Sequence, residues 1–438
     1  MSVDDSKRSG ARRGRPVAAV LLLASTLGVM GGAAIAPMVE VIRGELGIGA
    51  TAIGMLLTVH SLAIAVTAPL IGRLCDRMGP RVPLGLGLVL FAVGGGAGLF
   101  VDHYPTLMAF RVVLGVGCGA VFTCSTVALL ALYRGPERDR MLGLRTTAIS
   151  VGGFVYPVAA GALGHISWQS PFAVYLIGLP LGVACLLVVP ARPAPRSGPG
   201  ATAPAGGPVD GTTGTGRGGV VRLLRDHPVV AGLTGLWAAA AALMMVVGIQ
   251  LPRRLAELGV GDPLVVAIMV MVTGGAASAV VGLLFGRLRE RFDHIVLLRT
   301  AVLLWTVSLL VFAVADRAWL LIAVPLLNGV GNGLVMPSTT ALIDRAVPEG
   351  RRGLATSLQA TAMFGGQFAS PLIFGSLVDS RSVTSAALAA AAGTVLLLLA
   401  LTRLRRALPA PAVTEPRGAV HRTSDPGSAP RSVDEKRT

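Results

Sequence analysis

A polar segment, Gly72-Arg73-Leu74-Cys75-Asp76-Arg77-Met78-Gly79-Pro80-Arg81, gathers a carboxylate, three arginines and two glycines between apolar stretches. A carboxylate in such a loop can meet the positive N-terminal end of a neighbouring helix, here near Gly353. A contact of that kind forms and breaks as helices move. Gly72, Asp76, Arg77, Gly79 and Arg81 are therefore gating candidates, with Glu290, Arg291 and Asp344 in the later part of the chain. Arg111 stands inside the apolar stretch 104–132 and His60 midway along 51–71. A charge deep in an apolar span is costly and is a functional candidate by default; the other reading of Arg111 is snorkelling to the near interface. Imidazole titrates near neutrality, so His60 is read either as a proton carrier or as a packed histidine. Tyr156, Trp237, Met244, Asn328, Asn332, Gln359 and Gln367 are candidates for a cavity with few fixed charges, suited to a neutral or lipophilic solute. Taken singly, each is equally a packing contact between helices.

No nucleophile–base pair, phosphate-binding loop or metal-spaced cluster accompanies these residues, so the sequence is read as a non-enzyme without cofactor or metal. Cys75, Cys118, Cys124 and Cys185 lack ligand spacing and lie in or beside apolar spans, which argues against a disulfide framework. With no ATP-binding motif, any work must draw on a gradient.

The elements that carry these residues follow from hydropathy. The chain is 53% hydrophobic and 14% charged, against roughly 25% charged in soluble domains. A membrane helix needs about 20 apolar residues. Twelve stretches qualify: 16–39, 51–71, 83–101, 104–132, 142–166, 171–189, 228–250, 264–285, 295–314, 318–343, 353–378 and 384–402. They divide the chain into a basic tail (1–15), a six-helix bundle (16–190), a Pro/Gly-rich linker (191–226), a second six-helix bundle (227–403) and a polar tail (404–438). With both termini cytoplasmic, 32 of the 38 Lys and Arg residues fall on the inner side, as the positive-inside rule requires. The net charge of +16 is thus a topology signal and not a nucleic-acid footprint. The expectation is a monomeric, multi-pass cell-membrane protein.

Sliding the sequence by 214 residues superimposes Gly72-Arg73-Leu74 on Gly286-Arg287-Leu288 and Arg77 on Arg291. The same offset carries Gly115-Val116-Gly117 onto Gly329-Val330-Gly331, Gly152 onto Gly366, Pro157 onto Pro371 and Gly161 onto Gly375. The bundles are therefore parallel repeats. Repeats of this kind place a substrate site at mid-membrane and suggest rocking of one half against the other.

The Gly72–Arg81 loop and the repeat together resemble the major facilitator superfamily over essentially the whole chain. The resemblance implies an all-α fold of two pseudo-symmetric six-helix bundles that moves a small solute by alternating access. Phe110-Arg111 and Gly115-Val116-Gly117 resemble the family's Arg-x-x-Gln-Gly-x-Gly motif, with Leu114 in the Gln place; Arg111 there holds water or tunes a protonatable group. Gly152 to Gly161 resembles the antiporter motif of drug/proton antiporters, with Tyr156 and Ala160 replacing two glycines and Pro157, like Pro371, kinking its helix. The family's relay cation and its acidic partner are absent at Pro80 and Leu132, whereas Asp344 keeps the equivalent acid in the second half. The implied function is proton-coupled efflux of the drug/proton antiport type. The alternatives are a proton-coupled importer of a small organic solute and an anion porter.

Overall fold

The computed structural model describes residues 16–28, 30–133, 135–190, 224–226, 228–346 and 352–407. The expected tail 1–15, most of the linker 191–226 and nearly all of the tail 404–438 lie outside them. The described residues are helical with no strand. Eleven helices are long and apolar enough to cross a membrane, and a bent pair makes twelve.

That pair is α1, Pro16–Leu27 and Met30–Leu46, whose segments meet at 57°. The remaining helices of the first half are α2 (Ala50–Met78), α3 (Arg81–Gly96), α4 (Tyr104–Leu132), α5 (Gly135–Leu163) and α6 (Ser170–Val188). The second half comprises α7 (Pro228–Glu257), α8 (Pro263–Arg291), α9 (His294–Val314), α10 (Ala323–Ala346), α11 (352–380) and α12 (Val383–Ala407). Most helices outrun the expected apolar stretches, because polar residues continue the backbone ladder beyond the apolar core. Arg145 lies inside the span Arg140–Leu163, within the expected stretch 142–166.

Each half encloses its own apolar core, one around Leu21, Leu56, Phe91 and Leu114, the other around Leu233, Trp237, Trp305 and Phe312. Outward-facing apolar side chains such as Leu187 and Leu283 are 77% and 86% exposed, an arrangement suited to lipid contact. Cys75 and Cys124 form a disulfide between α2 and α4, contrary to the expectation from spacing. Ligand spacing reads neighbours in sequence, whereas here two packed helices bring the sulfurs together from 49 residues apart.

The repeat is imperfect where the halves touch. Two stretches of wider, π-type winding occur in the second half, Ala267–Val272 in α8 and Pro371–Gly375 in α11. Their counterparts in α2 and α5 are ordinary α-helix. Short π stretches are frequent at functional sites, and these two face α5 and α2 across the junction between halves. The helix ends form two faces. One carries Arg73, Arg77, Arg287 and Arg291; the other, which we term the arginine-poor face, carries the starts of α2 and α8 and the ends of α5 and α11.

Candidate functional site

Arg111 is 1% exposed; it does not snorkel. Its Nη1 donates to the Gly31 carbonyl at 2.9 Å and to the Tyr175 hydroxyl at 3.1 Å, and that hydroxyl donates to the same carbonyl at 2.8 Å. The guanidinium carbon also stands 5.3 Å from the Phe172 ring centre and 5.2 Å from that of Tyr175. Gly31 is the second residue of the α1 segment that follows the bend, and a bend there disturbs the regular i→i−4 ladder. Two donors from α4 and α6 thus hold one backbone oxygen of α1.

His60 approaches the same segment from α2. A β-carbon at Gly31 would lie 2.6 Å from His60 Nε2, and one at Gly32 3.0 Å from Cε1. Only glycine leaves room for the ring, and the imidazole and Arg111 therefore bear on one stretch of α1. Tyr156, expected to offer its hydroxyl to the cavity, shares a 2.6 Å hydrogen bond with Thr26 of α1. Arg145 reaches α4, with Nη2 3.3 Å from the Phe122 carbonyl and the guanidinium 5.0 Å from the Phe122 ring centre.

Contacts between the halves cluster toward the arginine-poor face. Ser61 donates to Gln367 Oε1 at 3.0 Å, nearest the middle of the spans. Beyond it, Gly54 abuts Pro371, Gly375 abuts Thr51, and Gly161 abuts Pro263 and Leu264. At the face itself Asp379 accepts from Ala50 and Thr51, and His165 Nε2 lies 3.6 Å from Asp262 Oδ2.

The second-half candidates lie closer to helix packing. Trp237 is buried in the core and Met244 packs at its edge. Asn332 Nδ2 donates to Asn328 Oδ1 at 3.2 Å, leaving Asn332 Oδ1 buried without a partner. Gln359 is 7% exposed, with Nε2 3.4 Å from Thr340 Oγ1. Gln367 alone of this set reaches the other half. Pro157 lies within α5 and Pro371 opens the π stretch of α11.

Of the gating candidates, Arg77, Glu290 and Arg291 are exposed, while Gly72 and Arg81 are half-buried. Gly79 ends α2 with φ of 79°, a conformation that favours glycine. Asp76 and Asp344 belong to α2 and α10, but their side chains lie outside the described residues. Tyr175, Thr26, Ser61, Arg145, His165, Asp262 and Asp379 were not singled out in the sequence. A tyrosine or an arginine within a span was the available signal for Tyr175 and Arg145; polar residues at helix ends gave none. Among the described residues, no group of three His, Cys, Asp or Glu side chains could hold a metal.

Comparison with known proteins agrees with this architecture. The chain resembles tetracycline resistance protein class C of Escherichia coli at 26% identity, covering 81% of this chain and 86% of that protein. Quinolone resistance protein NorA of Staphylococcus aureus (strain MSSA476) is 22% identical, over 78% and 85%. A probable L-galactonate transporter of Escherichia coli (strain K12) is 32% identical, but across only 30% of this chain and 29% of that protein. In fold, the chain superimposes on the nucleoside transporter NupG (D323A mutant) with a TM-score of 0.73, 12% identity and coverage of 89% and 99%. A bacterial homologue of the lysosomal transporter Spinster, in its inward-facing, unoccupied conformation, gives 0.74, 15%, 91% and 99%. The Major Facilitator Superfamily model matches residues 21–299 and 259–433. With its paired helical halves and a match over nearly the whole membrane region, the chain belongs to the major facilitator superfamily of transporters.

Proposed function

We propose that this transporter is a proton-coupled exporter of small neutral or lipophilic compounds, working by alternating access with both termini in the cytoplasm. The observation that carries this reading is the set of contacts that join the halves at the arginine-poor face, Asp379 with Ala50 and Thr51 and His165 with Asp262. By the positive-inside rule the arginine-rich face is cytoplasmic, so these contacts close the outer face, as an inward-facing state of an alternating-access transporter requires. Efflux is supported by the coverage of two drug-resistance proteins over more than three quarters of the chain. Coupling is assigned to His60, whose ring shares the α1 segment at Gly31 with Arg111. A proton on His60 adds a second cation beside that segment, and repulsion from Arg111 then favours a different setting of α1.

The test is expression in a pump-deficient bacterium challenged with a quinolone, a tetracycline and the lipophilic cation ethidium. Resistance raised at least fourfold to one of them and abolished by Asp76→Asn supports export. No change with any compound, in cells that contain the protein in the membrane, overturns it. A second reading, import of a small organic acid, is favoured by the 32% identical segment shared with the L-galactonate transporter. Inward accumulation of radiolabelled galactonate would support that reading against the first.

A further inference from the structure

Helix α2 begins at Ala50 after Gly49, an N-cap residue with no side chain to accept from the first amides. Such amides need an acceptor, and they find it 329 residues away. Asp379, at the end of α11 in the other half, accepts from Ala50 N through Oδ1 at 2.6 Å and from Thr51 N through Oδ2 at 2.9 Å. Thr51 Oγ1 adds a third bond to Oδ2 at 2.7 Å. A β-carbon at Gly49 would come within 3.0 Å of Asp379 Oδ1, so the missing side chain also makes room for the carboxylate.

The 214-residue offset gives this contact its meaning. It carries Ala50 and Thr51 onto Leu264 and Val265 at the start of α8. Those amides donate to Oδ1 of Asp262, their own N-cap residue, at 2.9 and 3.0 Å. The same offset carries His165, at the end of α5, onto Asp379, and His165 meets Asp262 at 3.6 Å. The two junctions are thus equivalent in position and different in chemistry. Helix α8 is capped within its own half, in every arrangement of the halves. Helix α2 has its cap only while α11 lies against it.

We propose that Asp379 is a positioning residue of the transport cycle, capping α2 only when the arginine-poor face is closed and so favouring that state. The inference rests on the alternating-access reading given above. A contact present in one state alone shifts the equilibrium between states, whereas one present in both shifts nothing. The cap that Asp262 gives α8 is of the second kind, the cap that Asp379 gives α2 of the first.

The test uses the full chain in lipid nanodiscs, with spin labels at Asp102→Cys and Arg317→Cys, exposed sites on the arginine-poor face of opposite halves. The measurements are the label-to-label distance distribution and the melting temperature. Asp379→Ala is expected to raise the longer-distance population about fivefold relative to the shorter, the factor carried by one N-cap. Adding Gly49→Ser to Asp379→Ala supplies a cap within α2. It should recover the melting temperature and leave the distances shifted. Two distance populations in the unsubstituted transporter that Asp379→Ala does not move overturn the latch alone. Recovery of the distances together with the melting temperature by Gly49→Ser also overturns it, making Asp379 a helix cap and nothing more. A single distance population that no pH or compound from the resistance panel alters overturns alternating access, and the latch with it.

Discussion

Arg111 in α4 and Gly31 in α1 are joined by a hydrogen bond from guanidinium to backbone carbonyl, 2.9 Å long and buried from solvent. An arginine used to hold a carbonyl does not need a carboxylate partner; its charge is spread over a fork and stacked on two aromatic rings. Lysine offers a point charge without the stack. Arg111→Lys is expected to lower transport at least tenfold while leaving membrane insertion intact. Tyr175→Phe removes the second donor to the same carbonyl, a hydrogen bond worth about 1 kcal/mol, and should cost only a few-fold. Because both act on one acceptor, their effects should not add. Initial transport rates for the two single variants and the double variant measure this.

His60 is expected to set the pH dependence of transport. Its ring contacts Gly31 and Gly32, and the charged group facing it across α1 and α4 is Arg111. Measured from pH 5.5 to 8.5, the initial transport rate of the unsubstituted transporter should depend on pH. His60→Gln keeps bulk and hydrogen bonding but cannot hold a proton, and should flatten that profile. A full pH response in His60→Gln assigns coupling elsewhere and leaves His60 a packing residue.

Much of this was legible in the sequence, and the part that was not has a common cause. Spans, repeat and Arg111 could be read because each is a local property: a hydropathy run, an offset, a charge where none belongs. The acceptor for Arg111 could not, since a backbone carbonyl has no letter of its own and becomes available through a bend. Tyr156 shows the converse. Its hydroxyl was visible and its use was not, because Thr26, 130 residues away, takes it. Asp379 fell just past the expected end of a span, among Ser380, Arg381 and Ser382. Nothing local separates it from an ordinary loop carboxylate; only packing against Ala50 does.

The arginine-rich face carries its own asymmetry, read from sequence alone. Pro80 and Leu132 stand where the family keeps a cation and an acid, whereas Asp344 keeps the acid in the second half with Arg287 and Arg291 available to it. If that half holds the inner gate's ion pair, Asp344→Asn should reduce transport at least tenfold and Leu132→Asn no more than two- to threefold. Equal, mild losses in the two variants, measured as resistance at matched membrane levels, would remove the second half from that role.

The glycines of the antiporter-like segment divide by what they touch, and this allows gating to be separated from folding. Gly152 packs on Thr26 within the first half, and its repeat partner Gly366 packs on Ala238 within the second. Gly161 and its partner Gly375 instead meet the opposite half, at Pro263 and Thr51. A β-carbon at Gly161 would stand 2.9 Å from the Pro263 carbonyl oxygen, closer than packed atoms tolerate. The protein can relieve that clash by parting the halves, a movement the transport cycle already requires. No such movement helps Gly366→Ala, whose clash lies inside one bundle; overpacking there costs about 1–3 kcal/mol. Gly161→Ala is therefore expected to favour the state open at the arginine-poor face with little loss of melting temperature. Gly366→Ala should lower the melting temperature by several degrees and leave the balance of states unchanged. The same label pair and melting measurements decide it, and a reversed pattern would place the antiporter-like segment in folding and not in gating.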